Sequence, residues 1–295
     1  MLRKGWFRWL IPGLNIKRWL ALFSCGVGLL IIGISLIFNY QWLAVLEDIV
    51  LAFSGGVDSS LLLKICCDSS KNYGTTVYAI TVHTELHPMK DVEIATKVAK
   101  EAGAKHLVVY IDELQDAGIE YNPIDRCYRC KSLLFGKLKE KAKELGVKNV
   151  VEGTNEDDLH VYRPGLKAVR ELGVYTPLAD CGLTKKEVRK LAGEYGISVA
   201  ERPSSPCLAT RLPYGTEINL ALLEKIDRGE QKLRNLGFGD VRIRVHGTIL
   251  RLEINPEDFP RILEKREEIL LNLREVGCPY ITLDIEGFRS GSMDI

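Results

Sequence analysis

Ser54-Gly55-Gly56-Val57-Asp58-Ser59-Ser60 sits between a short apolar run, residues 49–53, and a helical stretch over residues 59–67. Paired glycines let the backbone turn sharply and aim several N–H groups at one anion. The helix that follows adds its positive N-terminal end. The hydroxyls of Ser54, Ser59 and Ser60 can donate to phosphate oxygens. Asp58 is out of place in a phosphate cradle unless it holds Mg²⁺, which bridges phosphates. No Gly-x4-Gly-Lys-Ser/Thr run and no Gly-x-Gly-x-x-Gly run occurs, so the loop is neither of the two commonest nucleotide motifs.

Outward from this loop the chain alternates between strand and helix. Strands are expected at 49–53, 77–82, 106–111 and 149–152, with helices at 59–67, 91–102 and 132–145. Thr184, with Glu187 three residues on, opens a further helix as a capping box. This alternation predicts an α/β fold with a doubly wound parallel sheet. Residues 201–214, rich in Pro and Ser, read as a loop. Beyond it come a helix at 217–236, a hairpin of 241–246 with 249–254, a helix at 256–276 and a strand at 280–285. The expected organisation is a nucleotide domain at 46–212 and a small α+β domain at 213–295.

Apolar residues make up 46% of the 295 and charged residues 27%, a composition that supports a buried core. The net charge of +1 gives no sign of a nucleic-acid partner. The 8 cysteines are too few for a disulfide scaffold in a chain of this length, so a reducing compartment is expected. Cys127 and Cys130 have ligand-like spacing just ahead of the 132–145 helix, where Arg126, Arg129, Lys131 and the helix end should favour thiolates. Cys207, in a polar loop between Arg202 and Arg211, has the setting of a placed, reactive thiol. Three cysteines can hold three irons of a [4Fe–4S] cluster. With a histidine they can hold Zn²⁺. Cys127 and Cys130 can also act as a redox pair with Cys207 separate. Cys25, Cys66, Cys67, Cys181 and Cys278 are expected to be simple packing residues.

Residues 19–38 form an uncharged, mostly apolar run of bilayer length. The preceding Arg3, Lys4, Arg8, Lys17 and Arg18 would keep the N-terminus in the cytoplasm and send the remainder outside. That conflicts with a domain needing cytosolic nucleotide. Residues 1–45 are therefore expected to be a foreign segment, or else an anchor that breaks the rule, ahead of a cytoplasmic catalytic domain. A return span at 42–53 is interrupted by Glu47 and Asp48.

The loop resembles the pyrophosphate loop of the N-type ATP pyrophosphatases, which adenylate a substrate and release pyrophosphate. Glu152-Gly153-Thr154-Asn155-Glu156-Asp157-Asp158, Tyr162-Arg163-Pro164-Gly165-Leu166, Thr176-Pro177-Leu178, Gly182-Leu183-Thr184-Lys185, Cys207-Leu208-Ala209-Thr210-Arg211 with Tyr214-Gly215, and Gly287-Phe288-Arg289-Ser290-Gly291-Ser292 narrow this. Together they resemble the LarE family of ATP-dependent sulfur transferases in nickel-pincer cofactor synthesis. The resemblance runs from residue 49 to the C-terminus. It implies an adenine nucleotide alpha-hydrolase-like fold, with ATP and Mg²⁺ as cofactors. ATP would be bound by Ser54, Gly55, Gly56, Val57, Asp58, Ser59, Ser60, Gly153, Thr154 and Asn155, with Asp58 on Mg²⁺. The implied substrate is a pyridinium dicarboxylate mononucleotide, adenylated and then converted to a thiocarboxylate. The sulfur would come from Cys207 itself, or from sulfide on a [4Fe–4S] cluster held by Cys127, Cys130 and Cys207. With all three cysteines present the cluster route is favoured. Arg211, Arg242 and Arg244 would receive the substrate's anionic groups, and a homo-oligomer is expected.

From the residues alone, Arg242, Arg244 and His246 alternate along one strand and read as a solvated face or as an anion site. Glu230 and Glu253 read as surface charge or metal ligands. Asn155, Asp157 and Asp158 read as a turn cluster or nucleotide contacts, and His83 as a structural surface residue. The competing functions are amide formation of the NAD-synthetase kind, tRNA thiolation, and a membrane-tethered nucleotide- or sulfide-binding protein. Amide formation has no use for three cysteines. Thiolation of tRNA calls for a broad basic surface.

Overall fold

The computed structural model describes residues 47–161, 163–203, 206–289 and 291–293. The expectations of an anchor or foreign segment at 1–45, and of Cys25 as a packing residue, lie outside the described residues. Among those residues no helix is long and apolar enough to cross a membrane.

Four parallel strands make the first sheet: β1 (Ile49–Ala52), β2 (Val77–His83), β3 (Lys105–Tyr110) and β4 (Asn149–Val151), in the order β3-β2-β1-β4. Between them run α1 (Val57–Tyr73), α2 (Met89–Ala102), the one-turn α3 (Glu113–Asp116) and α4 (Arg126–Glu144). After β4 come α5 (Gly165–Glu171), α6 (Pro177–Asp180) and α7 (Lys185–Glu194). The apolar sides of α1, α2 and α7 cover one sheet face, around Leu51, Leu61, Ala95, Val188 and Leu191. The other face packs on α4 through Val50, Ile80, Phe135 and Leu138. The fold is the doubly wound α/β class expected from the alternation. The chain leaves β1 toward β2 and β3, then returns to the opposite side of β1 as β4. The loops after β1 and β4 therefore lie side by side at the carboxyl ends of these two strands, where doubly wound sheets bind their ligands.

The second sheet has the order β5-β6-β7. β5 (Val241–His246) and β6 (Ile249–Ile254) form the expected hairpin, and β7 (Tyr280–Leu283) lies parallel to β6. It is packed by α8 (Leu220–Asn235), α9 (Phe259–Glu264) and α10 (Arg266–Arg274). The single helix expected at 256–276 is broken at Lys265, whose backbone (φ −97°, ψ 18°) separates α9 from α10. Leu86, Ile119, Leu208, Ala209 and Leu212, all before residue 213, are part of this second core. The two cores are thus tied by the very loops that carry the candidate sulfur chemistry.

Candidate active site

The phosphate loop occupies the turn from β1 into α1. Gly55 has φ 67°, and a Cβ there would stand 3.0 Å from the backbone of Ala95. Gly56 caps α1 in extended conformation. The Ser54 and Ser59 hydroxyls lie 3.1 Å apart, and Ser54 Oγ accepts the Gly56 N–H at 3.3 Å. Ser54 is exposed and Gly56 half-buried, so the mouth of the loop is open. Ser60 Oγ is buried without a partner. From the adjacent strand, β4, Gly153 presses on this turn. A Cβ at Gly153 would meet the Ser59 nitrogen at 2.8 Å, so only glycine permits the approach.

Asn155 bridges the two loops: its Nδ2 donates to Asp58 Oδ1 at 3.0 Å. It also forms a reciprocal turn with Asp158, its N–H donating to Asp158 Oδ2 and its Oδ1 accepting the Asp158 N–H, both at 3.2 Å. The turn reading of this cluster therefore holds, and Asn155 also reaches the phosphate loop through Asp58. Asp58 is not solitary, because Lys185 Nζ pairs with its other oxygen. Lys185 is the first residue of α7 and is aimed by the Thr184–Glu187 capping box. Sequence reasoning found that box without assigning its lysine to the site.

The three cysteines come together through a clasp between residues 119–126 and 207–218. Asn122, at the positive φ of 46°, donates through Nδ2 to the carbonyls of Leu212 (3.0 Å) and Pro213 (2.8 Å). Its own carbonyl accepts from Gly215, and that of Glu120 from Ile218. Arg126 donates to Asn122 Oδ1 and, at 3.3 Å, to the Ala209 carbonyl, and its Nη2 lies 3.8 Å from Cys127 Sγ. Cys127 and Cys130 sit inside the first two turns of α4, not ahead of a helix as expected from sequence. All three thiols are unpaired. Cys207 feels the charges of Arg126, Glu113 and Cys127, and Cys130 those of Glu113 and Cys207.

The expectation that neighbouring cations hold these thiols as thiolates fails for two of them. Burial pushes the Cys207 thiol up to about 11, with Arg126 opposing only in part. Burial and the adjacent Glu113 push Cys130 up as well. Arg129 is turned away to Asp125 at 2.8 Å, and Lys131 lies over the Phe135 ring at 4.9 Å. Glu113, buried beside the thiols, has no signal in the sequence that could have found it. Among the described residues no three His, Cys, Asp or Glu side chains are arranged to hold a single metal ion. A four-iron cluster makes a different demand, one cysteine to each of three separate irons, and the donor set of Cys127, Cys130 and Cys207 meets it in kind and number.

The arginines form a third group, and here the surface readings are wrong. Arg211, Arg242, Arg244, Glu230 and Glu253 are all buried, with Glu230 and Glu253 at 0% exposure. Their strand lies between the hairpin partner, α8 and the 208–212 segment, which cover both of its faces. Arg211 grips Glu230 with two parallel bonds of 2.9 Å, and Arg234 and the Ile243 N–H add 2.6 and 3.0 Å contacts to the same carboxylate. Arg244 binds Glu253 at 3.1 and 3.2 Å and the Thr210 carbonyl at 2.8 Å. Arg242 stacks on Phe288 at 5.1 Å. Burial and then repulsion from Arg211 lower its affinity for a proton, to a pKa of about 10. Guanidinium exceeds carboxylate in this cluster, so an incoming anion is favoured. His246, at the end of β5, is lowered by burial, and its Nε2 is buried without a partner. His83 is half-buried and packs edge-on against Tyr110 at 5.4 Å.

A cavity of about 430 Å³ opens beside the arginine group, lined by Arg202, Leu208, Arg211, Asp227, Arg234 and Arg242 among others. Arg202, which sequence analysis used only as a flank of Cys207, donates to the Gly55 carbonyl at 3.2 Å and pairs with Asp91.

A parallel sheet that carries the loop of residues 54–60 at its strand-order reversal is the architecture of an ATP-binding enzyme of the pyrophosphate-loop class. The Asparagine synthase family model matches residues 47–128, which hold this loop and the first three strands. An uncharacterised protein of Synechocystis sp. is 36% identical over 86% of this chain and 94% of its own length. The pyridinium-3,5-bisthiocarboxylic acid mononucleotide synthase of Lactiplantibacillus plantarum is 34% identical over 84% of this chain and 90% of its own. A tRNA-specific 2-thiouridylase of Rickettsia bellii is 31% identical, over 54% of this chain and 52% of its own. The chain belongs to the LarE family, that of the Lactiplantibacillus synthase, and is an ATP pyrophosphatase-type sulfur transferase.

Proposed function

We propose that this protein adenylates a carboxylate of a pyridinium dicarboxylate mononucleotide and replaces the AMP with sulfur, giving a thiocarboxylate. The supporting observation is the placement of the Cys207 loop. One flank, Arg202, touches the phosphate loop; the other, Arg211, is anchored on buried Glu230; both line the same cavity. A sulfur on this loop would lie between the phosphate loop and the arginine cluster.

The chemistry follows from what each group needs. A carboxylate is a poor electrophile, and its oxygen attacks the α-phosphate of ATP as pyrophosphate leaves. Amides of Gly55 and Gly56 and the start of α1 receive the departing charge. Asp58, already facing the Lys185 ammonium, is a carboxylate placed to accept a cation and would hold Mg²⁺. A sulfur nucleophile then attacks the acyl carbon, and AMP leaves. Arg211, Arg242 and Arg244 would orient the substrate's phosphate or second carboxylate. Cys127, Cys130 and Cys207 would hold a [4Fe–4S] cluster, which supplies a bound sulfide at its open iron. This chemistry calls for no nucleic acid.

The test is anaerobic purification, iron analysis and a pyrophosphate assay with candidate carboxylates. The expected result is iron-bound protein and carboxylate-dependent pyrophosphate. Cys207→Ala should retain that pyrophosphate release and lose sulfur transfer entirely. More than one sulfur delivered per chain distinguishes the cluster route from consumption of Cys207. Pyrophosphate release that ignores every carboxylate offered would remove the reading.

A further inference from the structure

Glu113 opens the one-turn helix α3 between two exposed acids, Asp112 and Asp116, yet it is only 2% exposed itself. Neither of its carboxylate oxygens has a hydrogen-bond partner. The Cys130 thiol lies beside it, and a thiol is a weak donor that does not satisfy a carboxylate. Its charge also reaches Cys207 and His87. The cations nearby are committed elsewhere: Arg126 to Asn122, Ala209 and Cys127, and Lys131 to the Phe135 ring.

A buried carboxylate without a partner is strongly unfavourable unless a cation completes it. Neighbouring helical positions Leu114 and Ala117 pack as ordinary apolar residues on the second core, so an apolar side chain would suit this position for packing alone. What distinguishes Glu113 is the company of the thiols.

We infer that Glu113 is an exchangeable oxygen ligand for the iron that the three cysteines leave open. The inference rests on the cluster reading above. A carboxylate oxygen is a harder and weaker partner for such iron than sulfide is. Incoming hydrosulfide therefore displaces it: the Fe–O bond breaks with its electron pair returning to Glu113, and a sulfur lone pair forms the Fe–S bond. No oxidant or reductant is needed. In this way Glu113 closes the open iron to other ligands until sulfide arrives. It acts on the cluster, while ATP and the mononucleotide are bound elsewhere.

The experiment compares the full chain with Glu113→Gln and Glu113→Asp, each reconstituted anaerobically with iron and sulfide and then freed of excess sulfide. Iron content, the electron paramagnetic resonance spectrum of the reduced cluster and a visible titration with sodium sulfide are recorded, without substrate or turnover. Equal iron content is expected in all three. The spectrum of Glu113→Gln should differ from wild type before sulfide is added and coincide with it afterwards. Its sulfide midpoint should fall on the order of tenfold, with Glu113→Asp between. Iron-loaded proteins with the same spectrum and the same midpoint would overturn the inference and leave the cluster standing. A wild-type chain that takes up no iron would overturn both. If Glu113→Gln fails to fold, a Glu113→Asp midpoint equal to that of wild type overturns the inference by itself.

Discussion

The phosphate loop and the arginine cluster both favour anions, but they are assembled in opposite ways. The loop relies on backbone dipoles of the turn from β1 into α1, with a neighbouring strand end pressed against it at Gly153. Its dipoles are part of the chain, so presenting them strands no charge in the interior. The cluster uses guanidinium groups from the 208–211 segment, from α8 and from β5, held in the interior by Glu230 and Glu253. Such charges are tolerated only while each is compensated. The lesson is that the loop's integrity is steric, whereas the cluster's is electrostatic, and each should fail in its own way.

Glu230→Gln attacks the cluster where it is most vulnerable. It leaves Arg211 and Arg234 facing a neutral group in the interior, a change that typically costs about 3–5 kcal/mol. Urea denaturation should show that loss, with ATP-dependent chemistry surviving in whatever protein remains folded. A variant as stable as wild type would mean that the cluster is not an electrostatic unit.

Gly153→Ala attacks the loop. The added carbon would lie 2.8 Å from the Ser59 nitrogen, so the end of β4 must withdraw from α1. The expected cost in stability is smaller, about 1–3 kcal/mol. Pyrophosphate release, however, should fall roughly tenfold to a hundredfold, because donors displaced by part of an ångström no longer fit the leaving group. Unchanged release would break the contrast.

The smallest effect concerns the apolar support behind the loop. Cys67 on α1 is buried, and its thiol is pushed up from 9.0 to about 11, first by burial and then by Asp68. Between these two values the unfolded chain has released a proton that the folded chain keeps. Stability contributed by the neutral thiol is therefore complete below pH 9 and is lost as pH rises toward 11, on the order of 1 kcal/mol per unit. Cys67→Ala should flatten that part of the denaturation profile. An identical slope would show that other groups dominate it.

What was legible in the chain was whatever is written locally. The strand–loop–helix order, the Gly55-Gly56 turn and the Thr184 capping box all depend on neighbours within a few residues. The misreadings have one cause. Glu230, Glu253 and Arg244 were read at their usual exposure, but each is paired with a residue 9 or 19 positions away, across a hairpin or between two segments. The flanking cations of Cys130 and Cys207 were judged by closeness in sequence, although α4 turns Arg129 outward and Lys131 onto Phe135.

Alone, the sequence determined the α/β class, the phosphate loop and the three cysteines, because backbone geometry and residue chemistry are short-range properties. Tertiary structure alone decided that Lys185 meets Asp58, that the arginines are interior, and that Glu113 faces the thiols. Those facts depend on which distant segments exclude water together, and burial is a property of the packed chain.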